Sequence, residues 1–357
     1  MDTVVRGAAR AAMLVTVVVS GLLAAPATGD PGPAASPELV RFRGPVEHIF
    51  LHPLMPAPKY TLHRGTQPQE FNKWNVTARE FRRILPQLYA NDWVLVDLGS
   101  LYHRVKTKHG KVFKQRPLWL PPGKKPLVIS IDDLNYPQYM VDNHLNSKVV
   151  LDKGRIATER VEPNGTTVVS RKSEIVPLLD RFVENHPDFS IDGAKGTIAL
   201  TGAEGILGYR TSGNGRTARR EQRKAAPVVK RLKQTGWTFA SHSYAHPDLA
   251  ASSLGQVQAD TDKWERYVQP LLGHNTRIFV YPFGTYLAPG SAGFKYLRDA
   301  GFRVFCTISP VASTVLGRGY VIQSRVRVDG LAMQKQQGSL KRFFDPAVTL
   351  DPVRPSL

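Results

Sequence analysis

Leu127-Val128-Ile129-Ser130-Ile131-Asp132-Asp133 is the stretch on which the reading of this chain turns. Five residues of nearly unbroken apolar character mark a strand buried on both faces, as parallel sheets require, and two carboxylates stand at its end. Similar short runs recur on either side: His48–Leu51, Trp93–Val96, Thr197–Leu200, Trp237–Ala240, Ile278–Tyr281 and Phe302–Phe305. Helical patterns separate them. Thr77-Ala78-Arg79-Glu80 is a capping box, followed by Phe81, Ile84, Leu85 and Leu88 on one face. Ile175, Leu178, Leu179 and Phe182 mark a second helix, and others are expected over 217–234, 253–272 and 291–300. Regular alternation of strand and helix implies an α/β fold with a mostly parallel sheet, doubly wound or closed into a barrel. In either case chemistry belongs at the C-terminal ends of the strands.

The 357 residues suffice for one large domain with appendages, and 42% hydrophobic with 22% charged residues excludes wholesale disorder. One cysteine, Cys306, excludes an internal disulfide framework and a cysteine zinc cluster. Its place in an apolar strand reads as inert core. The unusual number is the charge: 48 Lys and Arg against 29 Asp and Glu, a net +19. That points to an anionic partner.

Residues 1–27 read as a secretory signal, with Arg6 and Arg10 before the apolar run Ala11–Ala25 and Ala25-Pro26-Ala27 as the cleavage site. The alternative, an uncleaved anchor, is disfavoured because a spanning helix needs about 20 apolar residues. A soluble extracytoplasmic product is therefore expected, which makes nucleic acid the wrong partner and an anionic cell-wall polymer the better one. Residues 28–44 are linker by composition, the domain is expected over 45–345 with a polar insertion at about 135–170, and 346–357 reads as a tail. Basic segments at 103–125, read as an exposed hairpin turning at His109-Gly110, and at 210–233 hold much of the charge.

Three strand ends carry reactive groups. Asp132 and Asp133 follow the first; in an extended chain neighbouring side chains point apart, so one carboxylate can ligate a metal while the other faces substrate as a base. Ser241-His242-Ser243-Tyr244-Ala245-His246-Pro247 follows the second, and histidines four apart in a helical turn lie on one face and can grip one cation. Pro282-Phe283-Gly284 follows the third, a turn suited to presenting a backbone N–H. Two imidazoles and a carboxylate leave coordination positions open for water, the arrangement of a catalytic metal. Water on a metal beside a second carboxylate is hydrolytic equipment.

These residues resemble the polysaccharide deacetylases of the NodB-homology type, carbohydrate esterase family 4, over nearly everything from Val46 to about Gly330. Ser130-Ile131-Asp132-Asp133 looks like that family's T/S-F-D-D motif, Ser241–Leu249 like its S-H-[ST]-x-x-H-P-x-L motif, and Val280-Tyr281-Pro282-Phe283-Gly284 like its R-x-P-[YF]-G motif. The resemblance implies a distorted (β/α) barrel with mostly parallel strands. It implies Asp132 as base and Asp133, His242 and His246 as ligands of a divalent ion, Zn²⁺ by ligand type with Co²⁺ or Ni²⁺ also compatible. Tyr281, Pro282, Phe283 and Gly284 would face substrate and oxyanion. The insertion, longer than the compact family loops and carrying Tyr136, Tyr139 and His144, is expected as a lid or substrate wall with Tyr136 facing substrate, a plain polar insertion being the alternative. The chain departs from the pattern twice. Val280 stands where the family has arginine, and no late L-x-H motif supplies the acid histidine. A circularly permuted subset carries that histidine on the first strand; Ile49-Phe50-Leu51-His52 resembles it, which implies His52 as acid. Arg325 is the expected substitute for the missing arginine, with Arg327 equally plausible by spacing. The implied reaction is removal of N-acetyl groups from an N-acetylglucosamine-containing polysaccharide. An O-acetyl esterase, or a wall-binding module with a degenerate site, are the alternatives.

Overall fold

The computed structural model describes residues 38–108 and 110–357; the expected signal (1–27), most of the expected linker and His109 lie outside them. Seven strands close into a parallel ring: β1 (Glu47–Leu51), β3 (Lys125–Asp132), β4 (Thr197–Leu200), β5 (Thr238–Ser241), β6 (Ile278–Val280), β7 (Val304–Ile308) and β8 (Tyr320–Arg327), which returns to β1. An eighth, β2 (Trp93–Leu95), pairs with the first half of β3 at Lys125–Leu127, and β4 takes over the same edge from Ser130 onward. The fold is thus a closed α/β barrel, distorted where two strands share one edge of β3. The alternative of an open doubly wound sheet is excluded by the β4–β3 and β8–β1 pairings.

The barrel's outer wall packs against amphipathic helices. Phe81, Ile84, Leu85 and Leu88 of helix Ala78–Ala90 are buried, and the capping box read from sequence is present in both directions at Thr77 and Glu80. A second apolar cluster joins Ala199, Ala240 and Cys306 to Val128, Ile278, Val280, Val304 and Val321, and the same strands bury the polar Ser130, Gln323 and Arg325. Burial pushes the Cys306 thiol up to about 12, consistent with an inert core position.

Three segments differ from expectation. The polar insertion after Asp133 has regular structure of its own: helix Gln138–Asp142 is followed by an antiparallel sheet of Lys148–Asp152, Arg155–Val161 and Thr167–Ser170. Val40–Arg41, inside the expected linker, pairs with Trp119–Leu120. The segment 346–357 is docked rather than a tail: Arg354 makes a bidentate pair with Glu80 at 2.8 and 2.7 Å, both side chains being almost fully buried. Its sequence looks like a tail because a single buried arginine, not an apolar stripe, anchors it. The basic segment 103–125 does form a hairpin, Tyr102–Thr107 with Gly110–Gln115.

Candidate active site at the barrel mouth

A cavity of about 470 Å³ opens at the C-terminal ends of the strands, with His52, Asp132, Asp133, His242, His246, Tyr281 and Phe283 among its walls. The structure therefore brings together residues from four strand ends. Asp132, last residue of β3, is almost fully buried and accepts a 2.7 Å hydrogen bond from Arg325 Nη1. Arg325 is completely buried on β8 and stacks over the Phe50 ring, 4.2 Å from its centroid. Burial alone would raise the Asp132 carboxyl; the charges of Arg325 and His242 and the Arg325 hydrogen bond overcome it and bring it down to about 2. Asp132 is thus a carboxylate across any working pH. Spacing left Arg325 and Arg327 equivalent, and packing separates them: Arg327 pairs instead with Asp329 at 2.9 Å.

A polar chain runs inward from this pair. Arg325 Nη1 also reaches Ser130 Oγ at 3.1 Å, and Ser130 Oγ lies 3.0 Å from His48 Nε2. Arg325 can only donate, so Ser130 Oγ accepts from it and keeps its own hydrogen and a second lone pair for its other contacts, His48 Nε2 among them. Burial, then the nearby Arg325 charge, pull the His48 imidazole well below its ordinary value and keep it neutral. Sequence reading missed His48 because a histidine opening an apolar strand carries no periodic signal.

Asp133 does not point away from Asp132 as an extended chain would have it. Its φ of 59° turns the backbone into the left-handed region, so both carboxylates line the cavity. His242 Nε2 stands 3.9 Å from Asp132 Oδ2 and 4.0 Å from Asp133 Oδ2, while His246 Nε2 is 3.7 Å from Asp133 Oδ2. The His pair is also built differently from expectation. Residues 242–246 are not helical; Ser243 and His246 adopt φ of 61° and 58°, and the loop brings the rings to 4.8 Å. Asp260 holds that loop, accepting from Tyr244 N at 2.7 Å and Ala245 N at 2.8 Å.

The donor atoms of Asp133, His242 and His246 all lie within 4.8 Å of one another. His242 Nδ1 donates to the Val280 carbonyl at 2.9 Å, which leaves its Nε2 lone pair facing Asp133. One carboxylate and two imidazoles with a fixed tautomer fit a divalent cation.

His52 lines the same cavity, and its Nδ1 donates to the Trp74 carbonyl at 3.1 Å. Trp74 and Glu70, neither assigned to the site from sequence, and Tyr139 of the insertion also line it. Phe283 is 66% exposed, packs 4.5 Å from the His246 ring and sits at φ 57°. Gly284 behind it has φ 76°, and a Cβ there would meet Ile308 Cδ1 at 2.6 Å, so this turn admits only glycine. Pro282 is buried in the same turn and, like Gly284, does not line the cavity.

Tyr136, expected at the substrate wall, also does not line the cavity. It is fully buried and its hydroxyl donates to Glu174 Oε2 at 2.8 Å, so it buttresses the site from behind. Glu174 also accepts from Leu54 N at 3.0 Å, Ile175 N at 2.8 Å and Asn146 Nδ2 at 3.1 Å. It thereby ties the His52 loop to the segment after Asp133. Glu174 forms no ion pair among the described residues; burial outweighs its four donors and pushes it up to about 7. The folded-state value lies above the ordinary 4.5, so this group's contribution is complete below about 4.5 and is lost as pH rises through about 7. Denaturant titrations at pH 5 and pH 8 are expected to show the wild type losing up to about 3 kcal/mol on this account, with Glu174→Gln shrinking the difference. An equal pH difference in both proteins would contradict the assignment.

Residues 194–305, which contain both histidines and the Pro282–Gly284 turn, match the polysaccharide deacetylase family model. Among solved structures the chain is similar to the deacetylase PplD of Streptococcus pyogenes in complex with acetate, at 14% identity, covering 89% of this chain and 100% of that one, with a TM-score of 0.45. IcaB of Ammonifex degensii gives 12% identity, 84% and 98% coverage and a TM-score of 0.45. A de-N-acetylase from Aggregatibacter actinomycetemcomitans gives 11% identity, 84% and 100% coverage and a TM-score of 0.48. No curated protein matches the chain.

Proposed function

We propose that this chain, a polysaccharide deacetylase of the NodB-homology type, is a metal-dependent hydrolase that removes N-acetyl groups from an N-acetylglucosamine-containing polysaccharide and releases acetate. The observation that carries the reading is the juxtaposition of an Arg325-held carboxylate, Asp132, with the Asp133–His242–His246 cluster at one barrel mouth. Those three residues would hold the divalent ion, Zn²⁺ by donor type, which when bound supplies Lewis acidity toward the acetyl carbonyl and toward water. Asp132 takes the proton of the attacking water. Arg325 lowers its basicity but guarantees that it is ionised and aimed. The Phe283 turn offers its backbone N–H to the developing oxyanion, and exposed Phe283 and Tyr139 offer faces to the sugar ring.

His52 is the proton donor to the departing amine. Its Nδ1 is held by Trp74 O, so Nε2 is the atom that delivers the proton. The acid thus comes from the end of the first strand, the permuted arrangement. An amide nitrogen leaves poorly as an anion, whereas an ester oxygen leaves more readily. His52→Ala is therefore expected to slow acetate release from an N-acetylglucosamine oligomer by about 10²-fold or more, and from an O-acetylated xylan oligomer by less than about tenfold. Equal slowing on both substrates would contradict the acid role, and turnover of the ester alone by the wild type would favour the esterase.

The apolar leader Ala11–Ala25 supports an extracytoplasmic location, and no helix among the described residues is long and apolar enough to cross a membrane. Helix Arg216–Gln234 exposes Arg216, Arg219, Arg220, Arg223, Lys224, Lys230 and Lys233, a surface suited to an anionic cell-wall polymer.

A further inference from the structure

We propose that a second cavity beside the site is a subsite for an anionic group, carboxylate or phosphate, on the glycan unit adjoining the one deacetylated; this rests on the deacetylase reading. The second cavity, about 540 Å³, shares Ile308 and Arg327 with the first. The two are therefore neighbours divided by those side chains, and a polymer leaving the reacting position over Arg327 enters the second.

The two cavities differ in charge. The first is lined by Glu70, Asp132 and Asp133 against Arg327; the second is lined by Arg327 and Lys335 with no carboxylate in its wall. Arg327 is committed to protein on two sides: Nε pairs with Asp329 at 2.9 Å, and the guanidinium lies over the Trp74 ring at 4.7 Å. Its two terminal nitrogens have no protein acceptor among the described residues, which leaves a planar pair of donors for a carboxylate or phosphate. Lys335 is exposed at the end of helix Gly330–Lys335 and forms no ion pair among the described residues. Asp329 balances Arg327 from behind, so Lys335 leaves the wall with an uncompensated positive charge. Ser309 adds a hydroxyl: its Oγ accepts from Val311 N at 3.2 Å, so its hydrogen is available to a ligand. A neutral N-acetylglucosamine polymer has no use for such a wall. A chain in which every other sugar bears a lactyl-ether carboxylate, or whose units are joined by phosphodiesters, does.

The test is kcat/KM for acetate release on three soluble oligomers of equal length: uniform N-acetylglucosamine, N-acetylglucosamine alternating with a carboxylate-bearing sugar, and a phosphodiester-bearing glycan. At low salt the wild type is expected to favour an anionic oligomer over the neutral one by about fivefold, with the larger ratio identifying carboxylate or phosphate. Lys335→Glu is expected to bring that ratio to about one or below, while Lys263→Glu, the same charge change at an exposed position of helix Leu254–Tyr267 that lines neither cavity, preserves it. Equal rates on neutral and anionic oligomers in the wild type, or a ratio that survives Lys335→Glu, would overturn the subsite. Release of acetate from none of the three would defeat the deacetylase reading instead. Calorimetric binding of the same oligomers then still decides the subsite, because an affinity for the anionic oligomer that Lys335→Glu leaves unchanged also overturns it.

Discussion

Asp132→Asn is expected to lower acetate release from an N-acetylglucosamine oligomer by about 10³-fold while the protein still binds its divalent ion. Asparagine keeps the shape of the side chain and can still accept one hydrogen bond from Arg325, but it cannot take a proton from water. The substitution has a second effect that must be separated from the first. Arg325 is completely buried, and its one ionic partner among the described residues is Asp132 at 2.7 Å. Removing that charge leaves a guanidinium in the barrel with only Ser130 Oγ at 3.1 Å and a neutral amide, a loss of about 3–5 kcal/mol for buried pairs of this kind. Asp132→Asn alone should therefore also melt at lower temperature. Adding Arg325→Met removes the stranded charge and should recover most of the stability with none of the activity. If Asp132→Asn keeps more than a tenth of the wild-type rate, the carboxylate is not the base. If the double variant regains both stability and turnover, the loss was one of folding.

The second large effect is expected at the metal ligands. His246→Ala should reduce the bound divalent ion, measured by elemental analysis after dialysis, from about one per chain to a small fraction. Acetate release should fall by about 10³-fold with it, since the ion is asked to supply several kcal/mol of charge stabilisation. His246 is the better choice than His242 because its side chain is 30% exposed against 2% and lies at the cavity edge against Phe283. The fold should be spared, with an unchanged circular dichroism spectrum. His242→Ala should lose the ion equally but also destabilise, because it empties a buried position and leaves the Val280 carbonyl without its donor. Full metal occupancy in His246→Ala, or activity within tenfold of wild type, would exclude this histidine as a ligand. Treating the wild type with a chelator should reproduce the His246→Ala loss, and adding back Zn²⁺ should reverse it only in the wild type.

The strands that were easiest to read are those buried on both sides by apolar residues, such as Leu127–Ile131 and Thr197–Leu200. The strand that closes the barrel carries no such signal. Tyr320–Arg327 places Gln323, Ser324 and Arg325 in buried positions, so hydrophobic periodicity reports the wrong face. The same inversion hid His48, which is buried for its hydrogen bond to Ser130 rather than for its apolar surface. Docking of Arg354 onto Glu80 was illegible for the same reason. One ion pair between residues 274 positions apart leaves no local pattern.

What the amino-acid sequence determined by itself was the alternating architecture and the chemical inventory: the Asp132-Asp133 pair, His242 with His246, and the Pro282–Gly284 turn, each at the end of a strand. These follow from local composition, because strand burial and turn chemistry are decided within a few residues. Tertiary structure alone decided which groups meet. Ring closure through β8 delivers Arg325, not Arg327, to Asp132. Left-handed backbone at Asp133, Ser243 and His246 turns the carboxylates and imidazoles toward one point. Helix Pro68–Trp74 presents the carbonyl that holds His52, and packing sends Tyr136 to Glu174 instead of to the cavity. Such pairings cost desolvation and backbone strain that no short segment could offset, so they exist only where the closed barrel imposes them.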